Sequence, residues 1–256
     1  MLNAPKLFLI IGTISFSALA AELTPINDNY EKIKSTNTAI RRNAAIYLGS
    51  DSQPKTIDVL QSYLNDPDSS VRRAVVSSLS RIVNNNPNIS SDKIRLNNLT
   101  SALTTQFSID ENIGVRISII NALGIIRNNF SRKFLLQMLK DPYPIYRAEA
   151  LRAIQNYQNP EDYSLIVQGL TDEAEGVRIT AAEIIANRKI KNATSLLLKN
   201  LADPVMPVRL SMVRALGEIG TARELGGLEK MLNDSDPTVR QAAQEAIEKI
   251  KQRQTR

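Results

Sequence analysis

A signature of two columns that recur seven times along this chain, with a third that recurs six times in phase with them, leaves few folds open. An apolar residue followed by arginine stands at Ile40-Arg41, Val71-Arg72, Val115-Arg116, Tyr146-Arg147, Val177-Arg178, Val208-Arg209 and Val239-Arg240, with successive arginines 31, 44, 31, 31, 31 and 31 residues apart. Six residues before each of the last six arginines is an aspartate: Asp66, Asp110, Asp141, Asp172, Asp203 and Asp234. Seven residues after every one of the seven is Leu48, Leu79, Leu123, Ile154, Ile185, Leu216 or Ile247. A fixed period of this length is the mark of a repeat architecture.

The register predicts two helices per unit. Leu135 and Leu139 recur as Ile166 and Leu170, Leu197 and Leu201, and Leu228 and Leu232, each pair one helical turn apart on the inner face of a first helix. Asp-Pro at 66, 141 and 203, or acidic turns at 172–175 and 234–237, should stop that helix. A second helix then runs from just before the anchor arginine to about ten residues beyond it. Its apolar positions one before, three after and seven after the arginine form one stripe. The 44-residue interval contains an insertion near 84–97. There Asn84-Asn85-Asn86-Pro87-Asn88 reads as a loop, and Asp92 can cap a lengthened helix through Phe107. The first-helix pair in that unit, Leu103 and Phe107, stands three rather than two residues before its aspartate.

With Asp-Pro, then Val-Arg, then small and leucine positions in each unit, residues 33 to 250 resemble the HEAT-like repeat family, in particular its short bacterial class also found in phycobilisome lyases. The resemblance implies an all-α, right-handed α-solenoid of seven helical hairpins of about 31 residues, with the second helices lining the concave side. Stacking is also required energetically. Each residue of a hairpin loses about 1–2 kcal/mol of backbone entropy on folding, whereas each large apolar side chain returns roughly 1.5–3 kcal/mol when buried. With about half a dozen such side chains, a hairpin alone unfolds. Gln241 and Gln244 replace residues that are apolar in most inner units, as expected of a terminal cap.

Ahead of the repeats, Lys6 precedes an apolar run from Leu7 to Phe16 and the small-residue site Ala18-Leu19-Ala20. This predicts a signal peptide over residues 1–20, cut after Ala20, and a periplasmic or secreted protein. The apolar run is short of the roughly 20 residues that span a bilayer, and no second such run follows, so no integral membrane span is expected in the mature chain. The repeats would occupy 21–251 and a basic tail 252–256. Four of the charges behind the net +6 are Lys249, Lys251, Arg253 and Arg256, close to the end, which argues against nucleic acid as the partner.

The composition excludes much chemistry. There is no histidine and no cysteine, which removes histidine bases, catalytic triads, thiolate nucleophiles, disulfides and the usual transition-metal ligands. Deoxyhypusine hydroxylase resembles this architecture, but it holds di-iron through His-Glu motifs that this chain lacks. Gly226-Gly227 is an isolated pair and makes no phosphate loop. Neither a catalytic, a cofactor-binding nor a metal site is expected.

The remaining expectation is a non-enzymatic interaction scaffold, monomeric, holding a protein or peptide on its concave face. An accessory or chaperone-like subunit of a modifying, lyase-like enzyme is the alternative. The candidate binding residues lie one and five positions after the anchor arginine, opposite the apolar stripe. Ile117, Ile179 and Leu210 would form an apolar strip flanked by Arg152 and Arg214. The recurrent aspartates and arginines are expected to close inter-helix corners rather than bind a partner.

Overall fold

The computed structural model describes residues 28–51, 53–157 and 159–254, so the expected signal peptide lies outside the described residues. Among the described residues there are helices and no strand. They separate into two compact units, 28–82 and 83–254.

The first unit contains α1 (28–32), α2 (Thr38–Leu48), α3 (Pro54–Ser62) and most of α4 (Ser69–Asn85). Asn37 caps α2 by accepting from the Ala39 and Ile40 amides. Ala44, Leu48, Ile57, Leu60, Val71, Val75 and Leu79 form its core. Buried Asp51 accepts from the hydroxyls of Tyr30, at 2.6 Å, and Thr56, at 2.7 Å. Burial and the bond to Asp51 push the Tyr30 phenol up to about 12.

The second unit begins with the end of α4 and the short α5 (Pro87–Ser90), so of the expected loop Asn84 and Asn85 finish one helix, Pro87 and Asn88 begin another, and only Asn86 lies between them. Four hairpins follow, α6–α7, α8–α9, α10–α11 and α12–α13, then a fifth, α14–α15. The first helices are α6 (Lys93–Ile109), α8 (Asn129–Met138), α10 (Pro160–Gln168), α12 (Thr194–Lys199) and α14 (Leu225–Met231). The second helices are α7 (Ile113–Ile126), α9 (Pro144–Ile154), α11 (Glu175–Arg188), α13 (Met206–Ile219) and α15 (Pro237–Gln254). Asp92 caps α6 through the Arg95 amide. Several first helices are shorter than their apolar pairs imply. Leu170 and Leu201 fall in 3₁₀ turns that follow α10 and α12, where the chain tightens before the corner.

Each second helix packs on the next, α7 on α9, α9 on α11, α11 on α13 and α13 on α15. Small residues permit this. A Cβ on Gly124 of α7 would stand 2.9 Å from the Ala153 Cα of α9, and one on Gly217 of α13 would stand 3.2 Å from the Ala246 Cα of α15. The positions three and seven after each of the seven anchor arginines are buried. The position before it is buried in six, and Ile40 in α2 is the exception at 42% exposed.

The recurrent charges close the corners. In each of the six Asp corners the carboxylate accepts the amide of the residue two positions on, at 2.9–3.0 Å. The arginine six residues later donates to that aspartate's backbone carbonyl, as Arg147 does to Asp141 at 2.8 Å and Arg209 to Asp203 at 3.0 Å. The rest of the guanidinium reaches forward to the next aspartate, 25 residues on. Arg41 pairs with Asp66, Arg147 with Asp172, Arg178 with Asp203 and Arg209 with Asp234, at 2.7–2.8 Å, with every partner at least largely buried. In the Arg178 pair the buried Nε lies 2.8 Å from Asp203 but too obliquely to donate; Nη2 makes the hydrogen bond, at 3.1 Å.

Candidate functional site

The second helices of the second unit carry the predicted surface columns. Five after the anchor, the side chains alternate in sign from helix to helix: Arg152 on α9, Glu183 on α11, Arg214 on α13, Glu245 on α15. Arg152 lies 3.9 Å from Glu183 and donates to Glu149 at 3.1 Å. Arg214 is exposed and makes no ion pair or side-chain hydrogen bond among the described residues.

A groove of about 660 Å³ runs across α11, α13 and α15, and Glu183, Arg214 and Glu245 all line it. Glu218, Glu248 and Lys249 contribute the other charged groups of its wall. Glu218 accepts from Lys189, at 2.5 Å, and from Lys249. These two ammonium groups hold its carboxyl down at about 2, against the effect of partial burial. The clamp joins the ends of three successive second helices. Lys189 is the residue at which α11 ends, in a left-handed conformation, φ 55°.

The apolar part of the predicted site is placed differently. Ile117, Ile179 and Leu210 are each half-buried, and they do not line the groove. The structure therefore brings Arg214 together with Glu183 and Glu245, puts Arg152 next to Glu183, and leaves the three apolar residues apart from the groove. Glu218 was not among the predicted residues. Its signal was present in the register, since Asn187, Glu218 and Lys249 occupy one column nine after the anchor and all three line the groove.

Among the described residues no group of three or more Asp or Glu is arranged to hold a metal ion, and no helix is long and apolar enough to cross a membrane. The groove offers carboxylates, one open guanidinium and amides. Such a surface can form salt bridges and hydrogen bonds with another chain.

The family model for HEAT repeats matches residues 27–106 and 163–248. The chain belongs to the HEAT-repeat family. No curated protein matches the sequence. Among solved structures, the chain is similar to YibA of Escherichia coli, at 24% identity and a TM-score of 0.59 over 91% of this chain and 83% of that one. It is similar to the complex of CpcE and CpcF of phycocyanin lyase from Nostoc, at 16% identity and a TM-score of 0.50 over 98% and 93%. Human deoxyhypusine hydroxylase is matched at 18% identity and a TM-score of 0.43 over 89% and 84%. At these identities the likeness to YibA and to the CpcE–CpcF complex is one of fold: an all-helical HEAT-repeat scaffold.

Proposed function

We propose that this HEAT-repeat protein is a non-catalytic scaffold that works outside the cytoplasm and grips a segment of another protein on its second-helix face. In this reading seven hairpins form a right-handed superhelix with that face concave, and the chain acts as a monomer.

The observation that carries the reading is the groove across α11, α13 and α15, where Arg214 stands between Glu183 and Glu245 with no ion pair among the described residues. Charges held in fixed alternation on rigid helices, with one left open, suit recognition of a complementary chain. The absence of histidine and cysteine from the sequence supports a binding rather than a catalytic role.

The test compares wild-type protein with the Arg152→Ala/Arg214→Ala double variant as bait in extracts of the native cell envelope. Both arginines are exposed, so the variant should fold normally, which circular dichroism verifies. One protein retained by the wild type and reduced about tenfold with the variant is the expected result, equivalent to about 1.4 kcal/mol of binding. Equal recovery by both would refute the groove as the site. Export is tested separately by sequencing the N-terminus of the envelope form: it should begin at Ala21, and an intact Met1 in the cytosolic fraction would contradict export.

A further inference from the structure

One corner of the second unit departs from the others. In four corners an aspartate receives the guanidinium of the preceding unit's arginine, yet Asp141, at the α8–α9 corner, has no ion pair among the described residues. Its carboxylate is otherwise set as the rest are, with Oδ1 accepting the Tyr143 amide at 2.9 Å and its backbone carbonyl accepting from Arg147 at 2.8 Å. The missing arginine is Arg116. It spends its Nε on the Asp110 carbonyl, at 2.5 Å, and turns its guanidinium over the Phe107 ring, 5.3 Å from the centroid. The cause is the extra residue before Asp110, which brings Phe107 to the corner, where Phe134 and Tyr146 pack on it edge to face.

The same two corners carry an exposed apolar surface. Ile109 and Ile113 flank the α6–α7 turn at 61% and 58% exposed, and Tyr143 and Ile145 flank the next turn at 60% and 43%. Tyr143 continues the aromatic chain, with its ring 5.7 Å from that of Tyr146. The equivalent positions of the other units hold mainly small, polar or charged residues or proline, such as Asn37 and Thr38, Asp68 and Ser69, and Glu175 and Gly176. An acceptor built for arginine thus lies open beside an apolar rim, with exposed Glu111 adding negative charge.

We infer that this corner is a docking site for a partner protein that inserts an arginine flanked by apolar side chains. The guanidinium would occupy Asp141 as Arg147 occupies Asp172, stacking near Tyr143, while the flanking residues cover Ile109, Ile113 and Ile145. This site is separate from the second-helix groove and does not depend on it.

The probe is the blocked peptide acetyl-Leu-Arg-Leu-amide, titrated into full-length protein with labelled isoleucine methyls and followed by NMR. Shifts should concentrate on Ile109, Ile113 and Ile145. Replacing the peptide's arginine with citrulline, which keeps the shape and removes the charge, should raise Kd about tenfold. Asp141→Asn should do the same; asparagine still accepts the Tyr143 amide, so the corner folds. Arg152→Ala/Arg214→Ala should leave the titration unchanged. No shift at these methyls, or equal binding of the citrulline peptide, would overturn the inference. So would concentration-dependent dimerisation abolished by Ile109→Asp, since a second copy of the chain would then be the occupant.

Discussion

Asp172 shows what one corner residue contributes. Changing it to alanine takes from the Arg147 guanidinium, 9% exposed, its buried carboxylate, leaving it exposed Glu173 and the Asp141 and Pro142 carbonyls, and removes the acceptor of the Ala174 amide. Breaking one side of a buried pair costs about 3 kcal/mol, so Asp172→Ala should lower unfolding stability by that order in urea denaturation. Asp172→Asn should cost less, because it keeps the amide bond. A fully stable Asp172→Ala protein that had lost its partner would make the ladder a binding device instead. Acid should reveal the same groups. Burial opposes ionisation of Asp172, but Arg147 and the Ala174 amide outweigh it and hold the carboxyl below its usual range; Asp234 is held down chiefly by Arg209. Glu218 drops furthest, from 4.5 to about 2. Folded-state values below the unfolded ones mean stability that is complete above the unfolded values and lost as pH falls through the folded ones. The melting temperature should therefore hold steady down to about pH 5 and fall between pH 4.5 and 2, and Glu218→Gln should remove part of that slope. Salt should weaken the Glu218 contribution, since Lys189 and Lys249 are more than half exposed. At this scale the Asp–Arg relation was legible in the sequence, but the partner was not. Own-unit and next-unit aspartates both lie within an arginine's reach, and only the stacking of hairpins settles that the carboxylate comes from 25 residues ahead.

Among elements, the second helices were read well because their buried positions repeat strictly. The first helices were read less well because a pair one turn apart does not reveal where an α-helix tightens into a 3₁₀ turn, as it does before Leu170 and Leu201. The close approach of second helices was not read at all. A glycine inside a helix is unremarkable until the facing backbone is known, and at Gly124 that backbone is Ala153. Gly124→Ala would gain about 1 kcal/mol in helix propensity, but its Cβ would lie 2.8–3.2 Å from the Cβ, Cα and carbonyl oxygen of Ala153, where no side chain can swing away. Overpacking of this kind costs about 1–3 kcal/mol, so the variant should be net destabilised. At Gly176, where a Cβ meets nothing within 4 Å, the same change should be neutral or stabilising. Thermal melts of the two variants check the contrast, and equal melting points would contradict tight α7–α9 packing. The groove is likewise an element-scale feature. Its column five after the anchor opposes the apolar stripe, and Glu218 stands one turn further along the same face, near the end of α13, where the sequence pattern of the stripe no longer marks the surface.

At the scale of the whole molecule, one second helix of the second unit differs from the others in two columns, and it is α15. The column four after the anchor is buried at Ala45, Val76, Ile120, Leu151, Ala182 and Val213, but it is exposed at Gln244 of α15. The column one after the anchor changes from half-buried Leu210 to exposed Gln241 in the same step. Both glutamines donate to glutamates one turn on, Gln241 to Glu245 and Gln244 to Glu248, so the outer face is satisfied on its own helix. Removing the final hairpin, residues 221–256, would make α13 the outermost second helix and bare Val213 together with the Gly217 surface on which Ala246 sits. That chain is expected to self-associate in sedimentation velocity, because an uncapped repeat presents a continuous apolar face. Adding Leu210→Gln and Val213→Gln to the truncated chain reproduces the two columns of α15 on α13 and should restore a monomer. If the doubly substituted truncation still aggregates, the polar columns are not what keeps the outer face of α15 from associating, and that role must lie in the Lys189–Glu218–Lys249 clamp that the truncation also breaks.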